Sequence, residues 1–211
     1  MNPTCTTLID GVGYCSGCTR SMVSGTKVTL VAGPPCAGKT TYVQQHRQPG
    51  DLVAVRGRLG WAAAGLAVLQ RGFRSPAVVV NAHRVPEPPY AAGPEAAKAG
   101  ATAMIDVSDG LLADLGHVAR ASDVRIDVRS TTLEVPARLA DVGAALGADP
   151  RHWLLTGGDD HALAATFPPD ALLPYGWVRV GTVLTLGDDD PAVLVDGRSY
   201  DGGPAGWDHF A

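Results

Sequence analysis

The stretch Ala101-Thr-Ala-Met-Ile-Asp106-Val-Ser108-Asp109-Gly110-Leu111-Leu-Ala-Asp-Leu-Gly-His117 decides how the chain is read. Its first half, Thr102 to Asp106, is an apolar run of the length of a buried strand. From Leu111 to Arg120, residues Leu111, Leu112, Leu115, Val118 and Ala119 recur at helical spacing, which predicts an amphipathic helix. A strand end and a helix start therefore meet between Asp106 and Gly110. Ser108 and Asp109 are residue types whose side-chain oxygens cap free helix N–H groups. Capping and a turn glycine account for the whole motif. So does a second reading: Asp106 and Asp109 beside a helix N-terminus suit Mg2+ bound to phosphate. Mg2+ takes few carboxylates and completes its shell with water and substrate oxygens.

Working outward, Leu52–Arg56 reads as a strand and Trp61–Arg71 as an alanine-rich helix with Leu66 and Leu69 on its apolar side. Pro76 to Tyr90, with its several prolines, predicts a largely irregular crossing segment. Pro94 begins a short helix. Val124–Val128 alternates like a strand, and Pro136–Leu146 reads as a helix. His161–Phe167, Trp177–Leu184 and Ala192–Val195 are further strands. From residue 51 to 211 this is a mixed α+β domain.

Residues 1–50 have a different character. All four cysteines, Cys5, Cys15, Cys18 and Cys36, lie there, and Asp10 is their only acid. A stapling disulfide framework would spread through the fold, so none is read here. In residues 1–25, Cys5, Cys15 and Cys18 suggest a degenerate zinc knuckle or an unstructured one. In residues 26–50, Lys27–Ala32 reads as a strand. Gly33-Pro-Pro-Cys-Ala-Gly38-Lys39-Thr40 matches G-x-x-x-x-G-K-[ST], and a helix follows. In such a loop backbone N–H groups between Gly33 and Gly38 turn around phosphate oxygens. Lys39 reaches the outer phosphates and the Thr40 hydroxyl binds Mg2+. This strand–P-loop–helix unit resembles the start of small P-loop ATPases.

With 45% hydrophobic and 18% charged residues and a net charge of −4, the composition is that of a core-forming protein. It offers no broad positive field for nucleic acid or anionic membrane. No apolar run is long enough to span a bilayer and no signal-peptide pattern opens the chain, so the expected compartment is the cytoplasm.

Ala101 to His117 resembles the C-terminal domain of thiamine-monophosphate kinases, in the AIR-synthase-related superfamily. Arg56–Gly60 with Ala63–Leu66, Ala82–Arg84 with Pro86–Tyr90, Leu155–His161 and Gly206–Phe210 are similar in order and spacing. The resemblance implies a mixed sheet with helices packed on one side. It also implies ATP-dependent phosphorylation of thiamine monophosphate to thiamine diphosphate, with ATP and Mg2+ as cofactors and a homodimer as an allowed state.

By position, Asp106 and Asp109 would be Mg2+ ligands, Ser108 would touch the nucleotide, and Asp159 and Trp207 would contact the substrate. Asp159 stands where the family has Glu, and Trp61 where it tends to have a small or polar residue. His83 and His117 are expected to be structural, and His209 a fold-closing hydrogen bonder. The family's N-terminal domain supplies most acidic metal ligands, and residues 1–50 do not resemble it. The expectation is an incomplete kinase, or a P-loop nucleotide-binding module fused to an inactive kinase remnant.

Overall fold

The computed structural model describes residues 8–9, 12–13, 49–187, 190 and 192–207. The readings for the cysteines, for Gly33, Gly38, Lys39 and Thr40, and for His209 lie outside the described residues. Leu8–Ile9 (β1) and Val12–Gly13 (β2) pair antiparallel. The other strands form a seven-stranded sheet: Leu52–Arg56 (β3), Ala103–Val107 (β4), Arg125–Val128 (β5), Ala162–Phe167 (β6), Val178–Leu184 (β7), Val193–Val195 (β8) and Arg198–Ser199 (β9). Their order is β4-β6-β3-β7-β5-β8-β9. Neighbours are antiparallel except β5 and β8, which run parallel. The helices are Trp61–Gln70 (α1), Ala77–Arg84 (α2), Ala92–Lys98 (α3), Leu111–Ser122 (α4), Ala137–Leu146 (α5) and Pro150–Thr156 (α6).

Side chains alternate across the sheet because successive Cβ atoms point to opposite faces. On β3, Val53 and Val55 enter the larger core while Ala54 enters the smaller one. On β6, Ala162 and Ala164 face the larger core, and Ala165 and Phe167 the smaller. The larger core is closed by α1, α2, α4, α5 and α6, through residues such as Val68, Val79, Leu111, Leu115, Leu139 and Leu154. The short α3 covers part of the opposite face with Ala92 and Ala96, beside Met104, Phe167 and Trp177. The α+β architecture with helices gathered mainly on one face is the one implied by the sequence.

Two of the helices were not expected from the sequence. Pro76–Tyr90 contains a helix, α2, where an irregular crossing was expected. Pro76 takes the N-cap position, with φ −73° and ψ 137°, where proline's missing N–H costs nothing. The remaining prolines, Pro86, Pro88 and Pro89, follow the helix end. Burial of Val79, Val80 and Ala82 overrides the weak helix preference of the valine run. The second difference is α6. Asp149 caps it by accepting from the Arg151 N–H at 2.9 Å, and Pro150 opens its first turn. Asp-Pro is a readable start signal, but seven residues are too few to show a helical period. Among the described residues no helix is long and apolar enough to cross a membrane.

Candidate functional site

The register of β4 against β6 builds the site. Val107 lies opposite Ala162, so the loop that ends β6's approach, Gly157–His161, runs beside the turn that leaves β4. The Asp159 N–H donates to the Ser108 carbonyl at 2.8 Å, and the His161 N–H to the Val107 carbonyl at 3.1 Å. Gly110 then turns the chain into α4 at φ +137°. A Cβ there would stand 2.6 Å from the Thr156 carbonyl oxygen, so both the dihedral and the close approach of α6 require glycine.

Capping of α4 by Ser108 and Asp109 was one of the two readings of this motif. Gly110 is the N-cap residue and makes no side-chain bond. The side chain that gathers the backbone of this turn is Asp114. Its Oδ2 accepts from the N–H groups of Ser108 (3.0 Å), Asp109 (3.0 Å) and Gly110 (3.1 Å). The turn at Gly110 points these three N–H groups back over the first helical turn, where residue 114 lies. Asp114 is 3% exposed. Burial pushes its carboxyl up to about 6, against the pull of those N–H groups, and the charges of Asp109 and Asp106 add to the rise.

Asp160 works in a similar way from further off. It is 5% exposed, and its Oδ1 accepts the Ala62 N–H at 3.0 Å at the start of α1. Burial pushes this carboxyl up to about 6, while the N–H groups of Ala62, Trp61 and Gly60 and the nearby Arg58 pull it down. Arg58 also lies over the Trp61 ring, 5.8 Å from its centroid.

Above this frame is a cavity of about 420 Å³. Its apolar bed is Ala62, Ala63, Leu66 and Ala67 of α1, and its rim carries Ser108, Asp109, His152, Asp159 and Trp207. The Trp207 backbone N–H donates to the Asp109 carbonyl at 2.9 Å, and the residue is 67% exposed. Asp159 is exposed and adopts φ +64°, a conformation that aspartate tolerates better than most residues. The structure thus gathers Ser108, Asp109, Asp159 and Trp207 around one opening.

Asp106 faces a second depression of about 370 Å³, with His161, Leu163, Tyr90, Pro86, Pro88 and Pro89. Its Oδ2 is 3.8 Å from His161 Nδ1. As hard, partly exposed oxygen donors, Asp106 and Asp109 fit Mg2+ in kind. Asp109, Asp114 and His117 also bring ligand atoms within 4.8 Å of one another, although Asp114 commits Oδ2 to the turn.

His117, expected to be structural, is exposed, with Nδ1 3.2 Å from an Arg120 guanidinium nitrogen. Its place on α4 turns it away from the core. His83 is half-buried and lines the cavity. Asp114, Asp160 and His152 were missed from sequence. Asp114 had a signal in its spacing from Gly110, whereas Asp160 and His152 had none.

No protein-family model matches the chain. Curated relatives do. The thiamine-monophosphate kinase of Mycobacterium tuberculosis is 46% identical over 185 residues, which are 87% of this chain and 54% of that protein. A solved structure of AaThiL complexed with AMPPCP and TMP superposes with a TM-score of 0.70 at 31% identity, covering 79% of this chain and 53% of the other. The thiamine monophosphate kinase of Aquifex aeolicus gives 0.66 at 29%, covering 74% and 53%. The chain spans about half the length of the curated relatives it matches, and over most of its own length it is homologous to thiamine-monophosphate kinases.

Proposed function

We propose that residues 51–207 form the thiamine-phosphate-binding part of a kinase that converts thiamine monophosphate to thiamine diphosphate with ATP and Mg2+. The observation that carries this reading is the convergence of Ser108, Asp109, Asp159 and Trp207 on one cavity. Its volume, about 420 Å³, suits a small ligand. The apolar bed on α1 takes ring surface, and the exposed Trp207 face attracts a cationic heterocycle. Asp159 adds a negative charge at the rim, set one methylene further back than a glutamate would be.

Asp109 at this cavity, and Asp106 at the neighbouring depression, would hold Mg2+, which when bound neutralises phosphate charge. Ser108, which lines the same cavity, would touch the nucleotide. Phosphoryl transfer depends on alignment and charge neutralisation, so further acidic groups from another domain must complete the ATP site. A homodimer is compatible with this reading, as is a cytoplasmic location, where ATP and thiamine phosphates are met.

Calorimetric titration tests it. Thiamine monophosphate is expected to bind the chain, and Trp207→Ala to weaken it about tenfold, the size of a lost aromatic contact. No heat at millimolar ligand would sink the reading. Nucleotide binding that ignores thiamine monophosphate and disappears in Lys39→Ala would favour a P-loop module attached to an inactive remnant.

A further inference from the structure

The segment from Tyr200 to Trp207 lends Pro204, Gly206 and Trp207 to one wall of the proposed thiamine-phosphate cavity and is held at both ends. At the far end the Trp207 N–H bonds to the Asp109 carbonyl. Gly206 lies so close to α4 that a Cβ would stand 2.5 Å from the Asp109 carbonyl oxygen and 2.6 Å from Ala113 Cβ. At the near end Tyr200 meets α6. Its hydroxyl is 2.8 Å from His152 Nδ1, and the two rings stack with centroids 6.4 Å apart and planes at 18°. Between these ends the chain is exposed and contains Gly202 and Gly203, the latter at φ +111°. Such a stretch has little conformational preference of its own.

The protons of the near end can be assigned by elimination. The Thr156 hydroxyl donates to the His152 carbonyl at 2.8 Å. That uses its one proton, so toward His152 Nε2, 3.3 Å away, it accepts. Nε2 therefore carries the imidazole proton, Nδ1 presents a lone pair, and Tyr200 donates to it. Burial, together with Asp149 and Asp201, raises the phenol above its ordinary value and keeps it a donor.

His152 and Thr156 themselves line the cavity. On the other side of the segment lies a groove of about 660 Å³ along α4, which shares Asp109, Pro204, Gly206 and Trp207 with the cavity. The segment is thus a ridge between two depressions. If it lifts, they merge into one trough and a bound ring loses a wall.

We propose that Tyr200, His152 and Thr156 are positioning residues, whose hydrogen-bond relay holds this segment against α6 and so sets the gap between Trp207 and the helical bed of the cavity. The role in ligand binding rests on the functional reading above.

The test is hydrogen exchange on the full chain, with Tyr200→Phe, which keeps the ring and removes the hydroxyl. The Trp207 amide, which donates to the Asp109 carbonyl, is expected to exchange about fivefold faster, as for the loss of one hydrogen bond, while the amides of α4 and β3 stay unchanged. His152→Ala should do the same. His152→Asn, whose side-chain oxygen can accept from Tyr200, should restore protection. Unchanged exchange in Tyr200→Phe overturns the proposal whether or not ligand binds.

With thiamine monophosphate, Tyr200→Phe should weaken binding by about the same factor and leave affinity for AMPPCP unaltered. Equal loss for both ligands, or faster exchange throughout the domain, would mark a merely structural role and overturn the proposal. Failure of the wild-type chain to bind thiamine monophosphate defeats the functional reading. It is separable from the exchange result, which alone decides whether the relay positions the segment.

Discussion

Asp114 and Asp160 each gather backbone N–H groups at a helix start, but from very different distances along the chain. Asp114 reaches back from inside α4 to Ser108, Asp109 and Gly110. Asp160 reaches α1 across 98 residues. Both are buried, at 3% and 5% exposure, and burial pushes both carboxyls up to about 6. The local cap shapes a turn. The distant cap decides where a whole helix lies against the loop that carries Asp159, and α1 and that loop are two walls of the same cavity.

The comparison is tested most strongly by truncation. Asp160→Ala should cost about 3 kcal/mol, because it strands buried N–H groups and unfastens α1 from β6. Asp114→Ala should cost about 2 kcal/mol and act mostly on the turn. Urea denaturation reads both. A larger loss for Asp114 would mean that the turn, and not the placement of α1, anchors the domain.

The pH dependence should be shared. A carboxyl raised in the folded state contributes stability that is fully present below its unfolded value, 3.8, and is lost as pH rises through about 6. These two groups should therefore lower stability between pH 4 and pH 6, by on the order of 1–3 kcal/mol each. Asp114→Asn and Asp160→Asn should each flatten that slope in melts taken across the window. A slope unaltered in one of them would show that its burial matters less than its N–H donors.

The smallest effect on stability belongs to the next residue along. Asp159 is exposed where Asp160 is buried. Asp159→Asn, which keeps a residue tolerant of φ +64°, should change stability by less than about 0.5 kcal/mol. It should weaken thiamine monophosphate about threefold in calorimetry, through the loss of one partly screened charge. A reversal of these roles would contradict the division between frame and rim.

Much of the frame could be read in the sequence because its signals are local. Leu111, Leu112, Leu115 and Val118 fall at helical spacing, and all four are buried in the larger core. β3, β6 and β7 stand within a residue of their expected bounds. Local reading failed where flanking and interior positions were confused, as with the prolines around α2. At the cap it left two readings open, and the N-cap position falls on Gly110, which turns the backbone of Ser108 and Asp109 toward Asp114.

By itself, the sequence determined the strand–turn–helix at Asp106–Gly110, the α+β class and the homology that these residues carry. Each depends on residue type and short spacing, which are visible along the chain. The tertiary structure decided that Asp159 and Trp207 join Ser108 and Asp109 at one cavity while Asp106 looks into another. It also decided that Asp160 is buried and Asp159 exposed, and that Tyr200 finds His152. Those outcomes follow from the register of β4 on β6 and from the packing of α6 beneath Gly110. Such contacts join residues far apart in the chain and leave no period or motif in the sequence on either side.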